Sequence, residues 1–265
     1  MSVMHWARLA PLLWLIGAPS AAVPSIPPSQ PVPLPATERL SYAIHWVGVP
    51  VGESTLAVKK MTEIEGDPAY HFAATTESYH VLRLVYPVNT RVDSYVDAER
   101  FLPIRYRMSG RQGFSTRDRE LIFDHEQHSV MLREGRSRTY QTVSDVQDPL
   151  SALYYYRVTA SLRDGEIVRV PVHDRKRPKE IIVTAGPVES VTTKAGTFQA
   201  ARLKIWQEQE GLFLHDGDIT LWMTADERRL PVRMEAKVAI GTVTAELTAF
   251  ARGAAPPLSA ASAAP

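Results

Sequence analysis

Between Glu38 and Arg252 the hydrophobic positions recur every second residue. Leu102, Ile104, Tyr106 and Met108 alternate with Pro103, Arg105, Arg107 and Ser109. Leu230, Val232, Met234 and Ala236 alternate with Pro231, Arg233, Glu235 and Lys237. Ala201, Leu203 and Ile205 do the same, as do Val243, Ala245, Leu247 and Ala249. A period of two puts one set on a buried sheet face and the other toward water. Turn residues punctuate these runs at Glu65-Gly66-Asp67, Lys194-Ala195-Gly196 and Asp216-Gly217-Asp218. The pattern predicts roughly ten to fourteen strands joined mostly as hairpins. So long a meander must curl or close. The expected fold class is all-β: a curved antiparallel sheet, half-barrel or distorted barrel.

One motif occurs twice. Glu99-Arg100, Leu102-Pro103 and Arg105 recur as Glu227-Arg228, Leu230-Pro231 and Arg233, all at one offset of 128 residues. Each copy reads as strand, acidic turn, Leu-Pro and return strand. The leucines should be buried after similar turns, with Arg105 and Arg233 directed away from them. The Glu-Arg pairs read as turn residues, not as acids and bases.

Asp148 to Leu162 breaks the strand period. Asp148 can cap a helix and Pro149 suits its first turn. Leu150, Leu153, Tyr154, Val158 and Leu162 share a helical stripe, and Gly165 can help to end it. One main helix is expected, packed on the sheet's concave side and bounding a ligand cavity. His80 to Tyr86 has a weaker helical pattern.

The two ends differ from the centre. Arg8, the apolar run Leu9 to Ala18 and Ser20-Ala21-Ala22 have the order of a secretory signal peptide over residues 1–22. The run is short for a membrane span. Residues 23–37 carry six prolines and form a proline-rich linker; residues 38–252 form one β-rich domain; residues 253–265, mostly Ala, Pro and Ser, form a disordered tail. The expected location is the periplasm. The absence of cysteine excludes disulfides, thiolate metal sites and a cysteine nucleophile. A formal net charge of +1 gives no field suited to nucleic acid. Arg175-Lys176-Arg177 with Lys179 is a local basic cluster that reads as a hairpin tip.

Candidate chemistry is sparse. His125-Glu126-Gln127-His128 places its histidines three apart, where a zinc-protease helix needs four, and strand-like flanks make it a hairpin turn. His215-Asp216-Gly217-Asp218 lacks the ligand spacing of a calcium loop. His45, His71, His80 and His173 are dispersed. There is no Gly-x-Ser-x-Gly elbow around Ser151 and no phosphate or dinucleotide loop. No catalytic residue, metal site or cofactor is assigned. Trp46, Tyr154, Tyr155, Trp206 and Trp222 are candidates to line an apolar ligand site, and Arg157 to orient an anionic group there.

Several segments resemble an uncharacterised bacterial family, domain of unknown function 3108. They are Leu40 to Gly48 with Val51-Gly52, the Asp148 to Arg157 helix, Gly196 to Arg202, and Leu221-Trp222 followed by Leu230 to Arg233. The resemblance implies an exported envelope protein and supplies no catalytic residues. Leu221 to Arg233 alone is similar to periplasmic lipoprotein-carrier half-barrels, at the level of fold. The leading expectation is a non-catalytic periplasmic binding or envelope-assembly protein, its partner a lipid, an amphiphile or a nonpolar envelope-protein segment. The alternatives are a hydrolase with a site assembled from distant residues, and an interaction module using a sheet edge.

Overall fold

The computed structural model describes residues 33–80, 86–113, 115–207, 219–238 and 241–253. The expected signal peptide, His215-Asp216-Gly217-Asp218, residues 254–265 and most of the His80 to Tyr86 segment lie outside the described residues. The fold is mostly β, as the period of two predicts. Its first half runs β1 (Glu38–Trp46), β2 (Val49–Val58), β3 (Thr62–Ile64), β4 (Asp67–Ser78), β5 (Val88–Asp97), β6 (Pro103–Gln112), β7 (Ser115–Asp124), β8 (Ser129–Glu134) and β9 (Arg136–Gln141). Helix α1 (Pro149–Thr159) follows. The second half is β10 (Ile167–His173), β11 (Pro178–Thr193), β12 (Gly196–Gln207), β13 (Ile219–Thr224), β14 (Pro231–Val238) and β15 (Gly241–Arg252).

All fifteen strands belong to one curved antiparallel sheet that does not close. The order is β10-β11-β12-β13-β14-β15-β1-β2-β4-β5-β6-β7-β8-β9, with β3 paired to β4. The two halves join where β1 pairs with β15, Glu38 opposite Arg252, so the first and last strands lie side by side. Turn chemistry sets the hairpins. Val47 and Gly48 both have positive φ between β1 and β2, as do Glu65 and Gly66 between β3 and β4. Two consecutive positive-φ residues give a turn whose twist matches that of the strands.

The duplicated motif is a structural repeat. Leu102 is 6% exposed and Leu230 is fully buried. Each follows a residue with positive φ, Phe101 at 55° and Arg229 at 50°. The carbonyl of Leu102 accepts from the Asp97 amide at 2.9 Å, and that of Leu230 from the Thr224 amide at 2.9 Å. Arg105 reaches Glu120 and Arg233 reaches Glu246 on their neighbouring strands, away from the leucines. The copies differ on the departing strand. Val96 faces Pro103, whereas Met223 faces Pro231, so the second loop holds one more residue. The offset of 128 therefore holds from Glu99 and Glu227 through the return strands, and not on the departing strands.

The interior is filled from two directions. α1 lies against β4, β5 and β10, and Tyr154 joins a core with Phe72, Val96, Tyr106, Leu121, Phe123 and Val130. The far half of β11 and β12 bends across the sheet after a register break between Ala185 and Val188. It brings Val191, Phe198 and Ala200 onto Leu40, Leu230 and Leu247. Strands β12 and β13 are buried on both faces: Ala200 and Trp222 serve this cluster, while Ala201, Leu203, Leu221 and Met223 pack against Tyr156 and Leu162.

The helix is shorter than its sequence pattern. It ends at Thr159, and Ala160 is already extended. Leu162 has a φ of 58° and reaches the third cluster from the loop. Burial is not confined to one stripe: Ser151, Ala152, Tyr156 and Arg157 are buried with Leu150, Tyr154 and Val158, whereas Leu153 is half-buried.

Candidate functional site

α1 is fixed at both ends by polar contacts, and both involve the repeated turns. At its start, Asp148 Oδ1 accepts the amides of Leu150 and Ser151 at 2.8 Å each, while the Ser151 hydroxyl accepts the Asp148 amide at 2.9 Å. This reciprocal box satisfies amides that a helix start leaves unpaired. Ser94 on β5 donates to the other carboxylate oxygen at 2.6 Å. The residue before the cap, Gln147, donates through Nε2 to the carbonyl of Phe101 at 3.0 Å. At the other end Arg157 donates through Nε to the carbonyl of Arg229 at 2.8 Å. Phe101 and Arg229 occupy the same position in the two motif copies. The repeated turns thus present equivalent carbonyls to the two ends of the helical segment.

Burial pushes the Asp148 carboxyl up to about 6, against the pull of Ser94 and of the Ser151 and Leu150 amides. A folded pKa above the unfolded value of 3.8 means that the native state takes up a proton first. The contribution of Asp148 to stability should therefore rise as pH falls through about 6, and be complete below the unfolded value. Asp148→Asn has no such titration. Urea unfolding of both proteins at pH 4 and pH 7 should show the stability difference, wild type minus variant, shrinking at the higher pH by up to about 3 kcal/mol. A difference that is flat, or that grows with pH, overturns this assignment.

Arg157 is 1% exposed, and four of its five N–H groups are engaged. Nη1 and Nη2 grip the fully buried Glu38 carboxylate at 2.7 and 3.1 Å, and Nη2 also meets the carbonyl of Arg228 at 3.2 Å. Burial pulls the Arg157 pKa down, Glu38 more than compensates, and the net direction is up.

The six residues singled out for a ligand site do not converge. Tyr154 and Arg157 are neighbours, the guanidinium 5.1 Å from the ring centre. Tyr154 is fully buried and stacked on Phe72 with centroids 3.9 Å apart. Tyr155 is half-buried and faces Phe101. Trp222 is buried, its indole donating to Glu189 and its ring under Arg233. Trp46 ends β1, and Trp206 lies one residue from the end of β12 at 36% exposure.

Nor do the described residues assemble a hydrolytic triad. His71 Nε2 approaches Asp93 at 2.8 Å, but Arg91 binds both oxygens of that carboxylate and the imidazole stacks on Tyr95. Burial pushes the Asp93 pKa up, and Arg91 and His71 overcome it, so the net direction is down. His125 to His128 form the turn between β7 and β8, with His125 bonded to the carbonyl of Pro103. Among the described residues no group of three His, Cys, Asp or Glu side chains could hold a metal ion. Arg175, Lys176 and Arg177 form the exposed tip between β10 and β11, where Arg175 meets Glu134.

What the structure does assemble is a cleft of about 390 Å³ where β15, β1 and β2 end together. It is lined by Ala57, Val58, Ala251 and Gly253 together with Arg39, Lys59, Lys60 and Arg252. Glu38 is also in the lining, but its carboxylate is fully buried, held by Arg157 with Arg252 Nε 3.2 Å away. Arg39, Lys59 and Lys60 have no ion pair among the described residues. Sequence reading missed this site because strand pairing makes it: Arg39 sits between Ala57 on one side and Ala251 on the other. The adjacent Lys59 and Lys60 are the one local sign of it.

A family model described as protein of unknown function (DUF3108) matches residues 41–248. The chain belongs to the DUF3108 family. Among curated proteins, none matches it. Of solved structures, it is similar to a beta-barrel-like protein of DUF1849 from Brucella abortus, with a TM-score of 0.55 and 9% identity over 83% of this chain and 98% of that one. At that identity the likeness concerns the fold alone. A protein described as exported with a YmcC-like fold, from Bacteroides fragilis, aligns over the same shares at 10% identity with a TM-score of 0.36, too low to carry an argument. No described helix of this DUF3108 chain is long and apolar enough to cross a membrane.

Proposed function

We propose that this DUF3108 protein is an exported, non-catalytic binding protein of the cell envelope, which holds the anionic head group of an amphiphile in the cleft between β15, β1 and β2. The carrying observation is the set of three cations, Arg39, Lys59 and Lys60, that line one cleft and have no ion pair among the described residues. Charge-assisted hydrogen bonds to such cations are the strong ones available to a phosphate or carboxylate. Ala251, exposed and paired with Arg39, offers contact to the first carbons of an apolar chain. The cleft has the volume of a site for one small group and not for a whole lipid. Periplasmic residence follows from the signal-peptide order of residues 1–22 and belongs to this reading. Arg157, fully buried with its guanidinium on Glu38, acts in it as a support for Glu38 behind the cleft.

Titration calorimetry with the mature protein tests this. Lysophosphatidylglycerol should bind more tightly than lysophosphatidylcholine, and less so at high salt. Replacing Arg39, Lys59 and Lys60 together by alanine should weaken the anionic ligand by about tenfold or more, equal to about 1.4 kcal/mol. Equal affinity for the two lipids, or no change in the triple variant, overturns the proposal.

A further inference from the structure

The two edges of the sheet are treated differently. On β10 the backbone is met by Gln147, whose amide donates to the carbonyl of Pro171 and whose carbonyl accepts from the amide of His173, at 2.8 Å each. The tip beyond β10 is tied down as Asp174 receives Arg119. Among the described residues strand β9 has a neighbour on one side only, β8. All of its side chains are exposed except Tyr140, which is half-buried against the core. Arg136 and Arg138 stand two residues apart on β9, so their side chains project on the same face at a spacing of about 7 Å. Neither has an ion pair among the described residues. The nearby carboxylates are engaged elsewhere, Glu134 by Arg175 and Glu120 by Arg133.

We propose that β9 is a docking edge for an extended, acidic segment of a partner protein, which adds to the sheet as a further strand. Strand addition supplies main-chain hydrogen bonds to the unpaired side of β9. Carboxylates at every second position of the incoming strand would meet Arg136 and Arg138 and set its register. A second copy of this chain is a poor occupant. Pairing β9 with β9 over its whole length sets Arg136 opposite Gln141 and Arg138 opposite Thr139, so a second copy offers the two arginines no carboxylate.

The test uses the mature protein and three eight-residue peptides of alternating threonine and a second residue, which is glutamate, lysine or glutamine. Hydrogen exchange should show the amides of residues 136–141 protected by the glutamate peptide and not by the lysine peptide. In fluorescence anisotropy, Arg136→Glu with Arg138→Glu should reverse the preference, weakening the glutamate peptide and strengthening the lysine peptide by about tenfold each. Lys59→Ala with Lys60→Ala should leave peptide binding unchanged, which separates this edge from the cleft. The proposal fails if the three peptides bind alike, if protection falls elsewhere, or if the charge exchange does not reverse the preference. It also fails if sedimentation shows a dimer that protects β9 without peptide.

Discussion

Arg157→Ala should lower the free energy of unfolding by about 3–5 kcal/mol, because it leaves the Glu38 carboxylate buried without its main partner. Glu38 keeps only Arg252 at 3.2 Å, and its side chain has no access to water. The carbonyls of Arg228 and Arg229 lose their donor in the same step, so the second repeated turn is released from the helix. Arg157→Lys should rescue little, since an ammonium cannot grip two carboxylate oxygens and two carbonyls from one planar fork. Glu38→Leu combined with Arg157→Met should cost less than either charge removal alone. The double change removes both desolvation penalties and fills the space with apolar volume. Urea unfolding of wild type, Arg157→Ala, Arg157→Lys, Glu38→Leu, Arg157→Met and the double variant provides the measurement. A loss below about 1 kcal/mol in Arg157→Ala, or a double variant as weak as the sum of the single ones, would show that the pair does not hold the helix to β1.

The local rules of this chain are legible in its sequence. Period two marks Leu230 and Val232 as buried beside a part-exposed Arg233. Asp148 and Pro149 mark the helix start, and the repeated Leu-Pro marks two equivalent turns. Long-range partners are not legible. Glu38 and Arg157 are 119 residues apart, and nothing local distinguishes Arg157 from an exposed arginine near a helix end. The basic cleft depends on the pairing of the first strand with the last. Double-faced burial also defeats the simple pattern: Trp222 and Leu221 are adjacent and both buried, because the far part of the β11–β12 hairpin covers one face while α1 reaches the other. The mismatch at the second turn has a similar origin. The extra residue falls in the loop before Leu230, where identity between the copies hides it from a comparison by fixed offset.

The three consecutive tyrosines of α1 show where helical periodicity alone is too coarse, and Tyr154→Ala should have the second large effect. Tyr154 is fully buried, stacked on Phe72 at an interplanar angle of 10°, and carries the Arg157 guanidinium over its ring. Truncation opens a cavity in the first core cluster and withdraws the ring from the buried ion pair. A loss of about 3–5 kcal/mol is expected. Tyr155→Ala should cost less, about 1–2 kcal/mol, since Tyr155 is half-buried at the edge of the small Ala152, Val170 and Val172 cluster and lies 6.2 Å from Phe101 between centroids. Tyr154→Phe keeps the stacked ring and should stay within about 1 kcal/mol of wild type. If Tyr154 acts through packing, lysophosphatidylglycerol should bind the folded Tyr154→Phe protein as it binds wild type. Chemical denaturation ranks the three variants, and calorimetry at a temperature where each is folded reads binding. Equal losses for the two alanine variants would mean that stacking on Phe72 contributes little. A tenfold weaker lipid in Tyr154→Phe at unchanged stability would move the binding site from the cleft to the helix.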